Sequence, residues 1–303
     1  MWFAAAVGSA ILFGLAGWWM KVSQMQSGST AWLLLGLYLS GTVGFGIHAA
    51  VEDTLIPSLQ DPKVWAAGFI IGAGSGLGNA LFMKALEYGP ASLTSPLTNM
   101  NIVLVIAMGT FVYHEPLSGT QFGGVLLLLL AVLFVSFRGN KEKQSIKESR
   151  WFVYVAVSIL MFAVRNGGLK VTEEMNLAGA PVLFVAYILS VLWFARSAVR
   201  ERKQQVSLGG LNNLRHERAL QLAANSSRTG MRWGLLAGLF SYGGLQLYAI
   251  SLQTGQANIA GPIFAANSLV VAAGSIVLYR ERLTPLQWTA FILTAAGLIL
   301  IRL

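Results

Sequence analysis

The stretch EYGPASLTSPLTNMN, running on to YHEPLSGTQ, returns 166 residues later as QTGQANIAGPIFAAN and YRERLTPLQ, and both copies lie among long apolar runs. At that one offset Gly89 pairs with Gly255, Ala91 with Ala257, Pro96 with Pro262, Asn101 with Asn267, Tyr113 with Tyr279, Glu115 with Glu281 and Gln121 with Gln287. An earlier block aligns at an offset of 149, pairing Ser9, Phe13 and Lys21 with Ser158, Phe162 and Lys170. The 17 residues that separate the two offsets fall in the polar stretch Arg200–Arg232. Two copies of one apolar unit predict an internally duplicated membrane protein.

Composition agrees. The chain is 55% hydrophobic and 11% charged, less than half the charge of a typical soluble domain. The net charge of +9 sits in short segments between apolar runs, which reads as a topology signal facing anionic lipid headgroups and not as a nucleic-acid surface. With no cysteine in the chain, disulfides, thiolate metal sites and thiol nucleophiles are excluded. Trp2–Met20 is long enough to span and lacks a basic leader or small-residue cleavage site, so it is expected to stay as the first span.

A crossing takes roughly 20 mostly apolar residues. Ten segments qualify, at about 2–21, 31–51, 64–86, 91–113, 119–137, 151–170, 180–199, 233–252, 257–279 and 285–301. The fold class expected is an all-α integral membrane protein, with repeats at 1–137 and 151–303 joined by a basic loop at 138–150, and a basic insertion at about 200–232. Five spans per repeat put the second copy into the membrane upside down, giving ten transmembrane helices as two inverted five-helix repeats. Of the 21 Lys and Arg residues, all but Lys63, Arg165, Lys170 and Arg302 fall at the odd-numbered connections. These connections are therefore expected in the cytoplasm of a bacterial-type inner or plasma membrane, with both termini outside.

The small-residue, proline-bearing fourth and ninth spans, each followed by a short Glu-bearing loop, resemble the drug/metabolite transporter superfamily, specifically an EamA-type permease. The resemblance implies a ten-helix carrier for small metabolites such as amino acids, sugars or related solutes, with a central cavity between the repeats. Relatives more often keep both termini inside, so the charge count departs from the family pattern. Small multidrug exporters of the superfamily use a membrane carboxylate, whereas no Asp or Glu lies centrally in any expected span here.

Polar groups at membrane depth point to a pathway. Thr94, Thr98 and Asn101 share one helical face, and Asn267 is the repeat mate of Asn101; the alternative for these amides is an interhelical hydrogen bond of about 0.6 kcal/mol. Asn79, beside Ser75, and the pair Tyr242 and Gln246 are further candidates. Arg165, with Asn166 beside it, replaces Ala16 of the first copy; it either faces the cavity and attracts carboxylate-bearing solutes or snorkels. Lys84 is a weaker candidate. Trp18 lines the cavity or, with Trp19, joins an interfacial belt. Lys21 and Lys170 read as snorkelling anchors, and His48 as a proton site or a hydrogen-bonded core residue. Pro96 and Pro262 are expected to kink their helices as hinge or packing elements.

Glu115 and Glu281 precede capping-box pairs, Ser118 with Gln121 and Thr284 with Gln287, and are expected to face the positive ends of the helices that follow them. The glycines of IGAGSGLGNA read as close-packing pairs, Gly72 with Gly76 and Gly74 with Gly78, and not as a nucleotide loop. The insertion is expected to be a short amphipathic helix around Leu211–Leu222 or a tether.

The function expected is secondary transport of a small polar metabolite by alternating access of the central cavity; the alternative is a non-transporting membrane interaction or signalling protein on the same fold. No constellation for enzyme chemistry, cofactor or metal is evident, and no nucleic-acid partner is expected. Two full repeats in one chain leave both monomer and dimer open.

Overall fold

The structure is a computed structural model that describes residues 1–88, 94, 97–136, 149–207, 213–279 and 285–302. Pro96, Glu281 and Thr284 lie outside the described residues. Among those described, the ordered elements are all helices: α1 (Trp2–Met25), α2 (Thr30–Val51), a short α3 (Leu55–Leu59), α4 (Pro62–Tyr88), α5 (Asn101–Ala107) leading into a π-helical turn at Met108–Val112, α6 (Gly119–Ser136), α7 (Arg150–Glu174), α8 (Gly179–Ser207), α9 (Asn213–Thr254), α10 (Ala257–Ala265), α11 (Asn267–Tyr279) and α12 (Pro285–Arg302). Six of them are long and apolar enough to cross a membrane, and four shorter apolar stretches, Leu97–Val112, Gly119–Phe134, Ala257–Val271 and Trp288–Ile301, match the remaining expected spans.

The repeat reappears in backbone hydrogen bonding. The first helix of each copy ends on a left-handed residue, Ser27 or Asn176, both at φ 55°. The Gly28 amide then bonds the Ser23 carbonyl at 2.8 Å, and the Leu177 amide bonds the Thr172 carbonyl at 2.9 Å. The same Schellman cap closes both first helices, and it also ends α2, where the Thr54 amide bonds the Ala49 carbonyl at 2.9 Å beyond the left-handed Asp53. The expected capping box at α6 is also present, with the Ser118 amide donating to Gln121 Oε1 at 3.0 Å and the Gln121 amide to Ser118 Oγ at 3.2 Å.

Two expectations change. Among the described residues of the insertion there is no separate short helix, Leu211 lying outside them: α9 is continuous over 42 residues, about 63 Å at 1.5 Å per residue, roughly twice the hydrocarbon thickness. The ninth span breaks at Ala266, between α10 and α11, four residues beyond Pro262, which stays inside α10. Proline removes one amide donor; the interruption itself forms where the chain switches to the Ala266 amide bonding the Ile263 carbonyl at 3.1 Å.

The chain forms two compact units, each drawing on both repeats. One comprises Met1–Leu15, Ala73–Gly179 and Gly243–Leu303, and the other Ala16–Gly72 and Ala180–Tyr242. In the first, α6 packs on α12 through Gly124 and Gly297, where a Cβ on either would lie 2.8–2.9 Å from the other's carbonyl oxygen. In the second, Gly230, Gly234 and Gly238 form a ridge on α9 whose added Cβ atoms would strike the Ser29, Leu33 and Leu37 carbonyls of α2. Glycines at i, i+4, i+8 let two membrane helices approach this closely. Tyr38, Phe45, Tyr187 and Phe194 fill the rest of that unit, with Tyr38 and Phe194 stacked at 5.4 Å.

The ridge gives a paired test. Gly234→Ala drives a methyl into backbone that cannot yield and is expected to cost at least about 2 kcal/mol. Gly123→Ala, with nothing within 4 Å, is expected to stay within about 1 kcal/mol of the parent. Thermal unfolding of the detergent-purified protein measures both.

Candidate functional site

Both discontinuous helices place an asparagine at the restart. The Asn101 amide side chain donates to the Thr98 carbonyl at 2.6 Å, and that of Asn267 donates to the Phe264 carbonyl at 2.8 Å. The backbone follows suit, with Met100 amide to Leu97 carbonyl at 3.0 Å and Ala266 amide to Ile263 carbonyl at 3.1 Å. A carbonyl released from a helix inside hydrocarbon costs several kcal/mol unless it finds a donor. The short amide of Asn reaches its own i−3 carbonyl and supplies one.

Arg165 on α7 joins the first of these breaks. It is 5% exposed, so it does not snorkel. Its Nε donates to Asn166 Oδ1 at 3.0 Å, and Asn166 Nδ2 donates to Asn101 Oδ1 at 2.8 Å. The relay thus runs from the guanidinium to the Thr98 carbonyl. Two rings face the guanidinium carbon, Phe162 at 4.9 Å and Phe13 at 5.2 Å from their centroids. Cation–π contacts of this kind reach about 2 kcal/mol each when desolvated, which offsets much of an insertion cost of about 2.5–3.5 kcal/mol for a central Arg. Phe13 and Phe162 are repeat mates, so the guanidinium sits between two copies of one residue.

Close backbone packing fixes this arrangement. An added Cβ at Gly74 of α4 would lie 2.7 Å from the Met161 carbonyl and 2.9 Å from the Arg165 amide, and one at Gly78 would lie 2.7 Å from the Phe162 ring. Gly14, next to Phe13, meets the second break in the same way, 2.6 Å from the Asn267 carbonyl oxygen. Phe264 then links Phe13, at 4.9 Å, to Tyr248, stacked at 4.6 Å. The Tyr248 hydroxyl and Ser158 Oγ are buried and make no hydrogen bond among the described residues.

One helical turn and a residue further along α7, Lys170 is buried, contrary to its reading as an anchor. Its Nζ lies 3.1 Å from Glu115 and 2.6 Å from Glu174. Glu115 does not face α6 either. Its carboxylate accepts from the Ala257 and Asn258 amides of α10, both at 2.9 Å, while Asn258 Nδ2 donates to the Glu115 carbonyl at 3.3 Å. The expected helix-end role of this glutamate holds, on a helix start 142 residues away.

The other candidates disperse. Thr94 accepts from Trp151 Nε1 at 2.9 Å, a packing contact. Thr98 is buried and contributes its carbonyl to the Asn101 contact. Asn79 and Gln246 are half-buried, and Lys84 is exposed, 5.9 Å from the Tyr154 ring. Tyr242 in the second unit bonds His48 Nδ1 at 3.1 Å, and His48 faces Glu52. Trp18 stacks on Trp19 at 4.8 Å, which stacks on Trp233 at 5.0 Å. Phe13, Phe162, Glu115 and Lys170 join the site although nothing local in the sequence marks them as site residues; their only signal is that all four lie in the aligned repeat blocks.

Ten apolar helical stretches, two of them interrupted at paired asparagines, describe a multi-pass, ten-helix membrane protein. The chain belongs to the EamA-like transporter family, whose model matches residues 1–137 and 153–303. It is similar to the probable 4-amino-4-deoxy-L-arabinose-phosphoundecaprenol flippase subunit ArnE of Serratia proteamaculans (strain 568), with 33% identity over 61 residues covering 20% of this chain and 53% of that one. The subunit of the same name from Pseudomonas fluorescens (strain Pf0-1) shares 29% over 70 residues, covering 23% of this chain and 58% of its own. The matches thus span little more than half the length of these relatives. One solved crystal structure, 16% identical, shares the fold with a TM-score of 0.65 over 97% of this chain and 95% of its own.

Breaking the buried ion pair from the carboxylate side tests its weight. Glu115→Ala strands two backbone amides and leaves the buried Lys170 with Glu174 alone, and is expected to cost about 3–5 kcal/mol. Glu174→Ala, whose side chain is 44% exposed, is expected to cost no more than about 1 kcal/mol. Thermal unfolding of each variant in detergent reads the difference.

Proposed function

We propose that the protein is a secondary carrier that moves a small polar metabolite, an amino acid, sugar or related organic solute, by alternating access, and that Arg165, Asn166 and Asn101 recognise an anionic group on it. The observation that carries this is the buried guanidinium tied by two amides to the interruption of a membrane helix. Ionisable groups at membrane depth mark substrate pathways, and discontinuous helices form binding sites in carriers built from inverted repeats. A guanidinium matches carboxylate and phosphate through paired N–H donors. Phe13, Phe162 and Phe264 offer aromatic faces to the rest of the solute, and Asn267 offers a second amide from the other repeat. Thr98, Thr94, Asn79, Gln246 and Lys84 stay in the proposal as further solute-contacting residues of the first unit, and Tyr242 and Trp18 as those of the second.

Membership of a transporter family weighs for transport over the non-transporting interaction protein. The names of the two flippase-subunit relatives favour a second substrate, a lipid-linked phosphosugar, whose phosphate suits the same guanidinium. In either case the repeats are 1–137 and 151–303, and the basic connections face the cytoplasm of a bacterial inner membrane.

Thermal stabilisation by amino acids, sugars, nucleosides, organic anions and phospholipid-linked sugar analogues tests the proposal, since a ligand that binds only the folded state raises its stability. An anionic or zwitterionic hit is expected, weakened about 10–100-fold in Arg165→Ala, as for a lost charge-assisted hydrogen bond. Arg165→Lys, which keeps the charge without the fork, is expected to fall between. Strict selectivity for hydrophobic cations, or undiminished affinity in Arg165→Ala, would overturn it.

A further inference from the structure

We propose that a groove along the α2–α9 seam binds one anionic phospholipid. The groove holds about 440 Å³ and is lined by Trp32, Ser227, Arg228, Met231, Arg232 and Leu235. It follows from the glycine ridge: where Gly230 and Gly234 bring α9 against Ser29 and Leu33 of α2, the larger residues on either side of the seam stand up as walls. Trp32 forms one wall, and Met231 and Leu235, four residues apart on one face of α9, form the other. Arg228 and Arg232, also four apart, are exposed and form no ion pair with a carboxylate among the described residues. The Glu201 carboxylate accepts from the Ser29 hydroxyl at 2.8 Å. The Trp32 indole N–H is buried and makes no hydrogen bond among the described residues.

The groove sits at a membrane boundary. The Ser29 hydroxyl caps the start of α2, accepting from the Trp32 amide, and the apolar part of α9 begins at Trp233. Trp233 donates to Gln26 at 2.7 Å and stacks on Trp19 at 5.0 Å, an indole pair of the kind found at headgroup level. Two guanidiniums one turn apart suit a phosphodiester, and the apolar walls below them suit the first carbons of an acyl chain. A free phosphate would use the arginines and leave the walls bare, so the occupant is the lipid.

Native mass spectrometry of the full protein, titrated with phosphatidylglycerol, phosphatidylcholine of the same chains, or glycerol 3-phosphate, tests this. Phosphatidylglycerol is expected to bind tightest, and Arg228→Gln/Arg232→Gln is expected to weaken it about 30-fold, from roughly a kcal/mol per basic residue near an anionic surface. Arg200→Gln/Arg202→Gln removes the same charge from the same basic stretch outside the groove, and is expected to change binding less than threefold. Equal binding of the two phospholipids, equal loss in both double variants, or glycerol 3-phosphate matching phosphatidylglycerol would overturn the site.

Discussion

Inside hydrocarbon every backbone N–H and C=O that leaves a helix must find a partner within the protein, and the interruptions at Met100 and Ala266 are the places where this chain meets that demand. Asn101 and Asn267 satisfy it locally, each returning its amide to the carbonyl three residues back. Glu115 satisfies it at a distance, giving the start of α10 two acceptor oxygens. Because the donors are side chains and not helical backbone, the interruptions leave polar groups at membrane depth. Asn101 then has an oxygen to offer Asn166, and Asn166 an oxygen to offer Arg165.

The charges on α7 divide by the same logic. Lys170 is met by two carboxylates, and the ion pair serves the architecture because Glu115 is at once a counter-ion and a helix cap. Arg165 donates to the Asn166 amide oxygen and lies between the Phe162 and Phe13 rings.

Much of this was legible in the residues. The ten apolar segments, the pairing of Asn101 with Asn267 and the capping box at Ser118 follow from local pattern, and local pattern survives folding. Phe13 and Phe162 were visible as repeat mates, but nothing local says that both turn toward one arginine. Glu115 was read against the next helix because sequence shows neighbours; its partner is 142 residues away. The ridge at Gly230, Gly234 and Gly238 straddles the boundary between the polar insertion and the expected span at 233–252, so its spacing is only partly visible in apolar sequence. The length of α9 was hidden for the same reason, since charged residues continue a helix beyond the bilayer without continuing its apolar pattern.

The central claim is that the relay ending at Thr98 opens to each side of the membrane in turn. Thr98 is buried in this structure, and the chain has no native cysteine, so Thr98→Cys can be labelled alone by a membrane-impermeant thiol reagent. In oriented vesicles the account predicts modification from either side, slowed from both by the transported solute. Access from one side only, or from neither, with solute bound or absent, would contradict it.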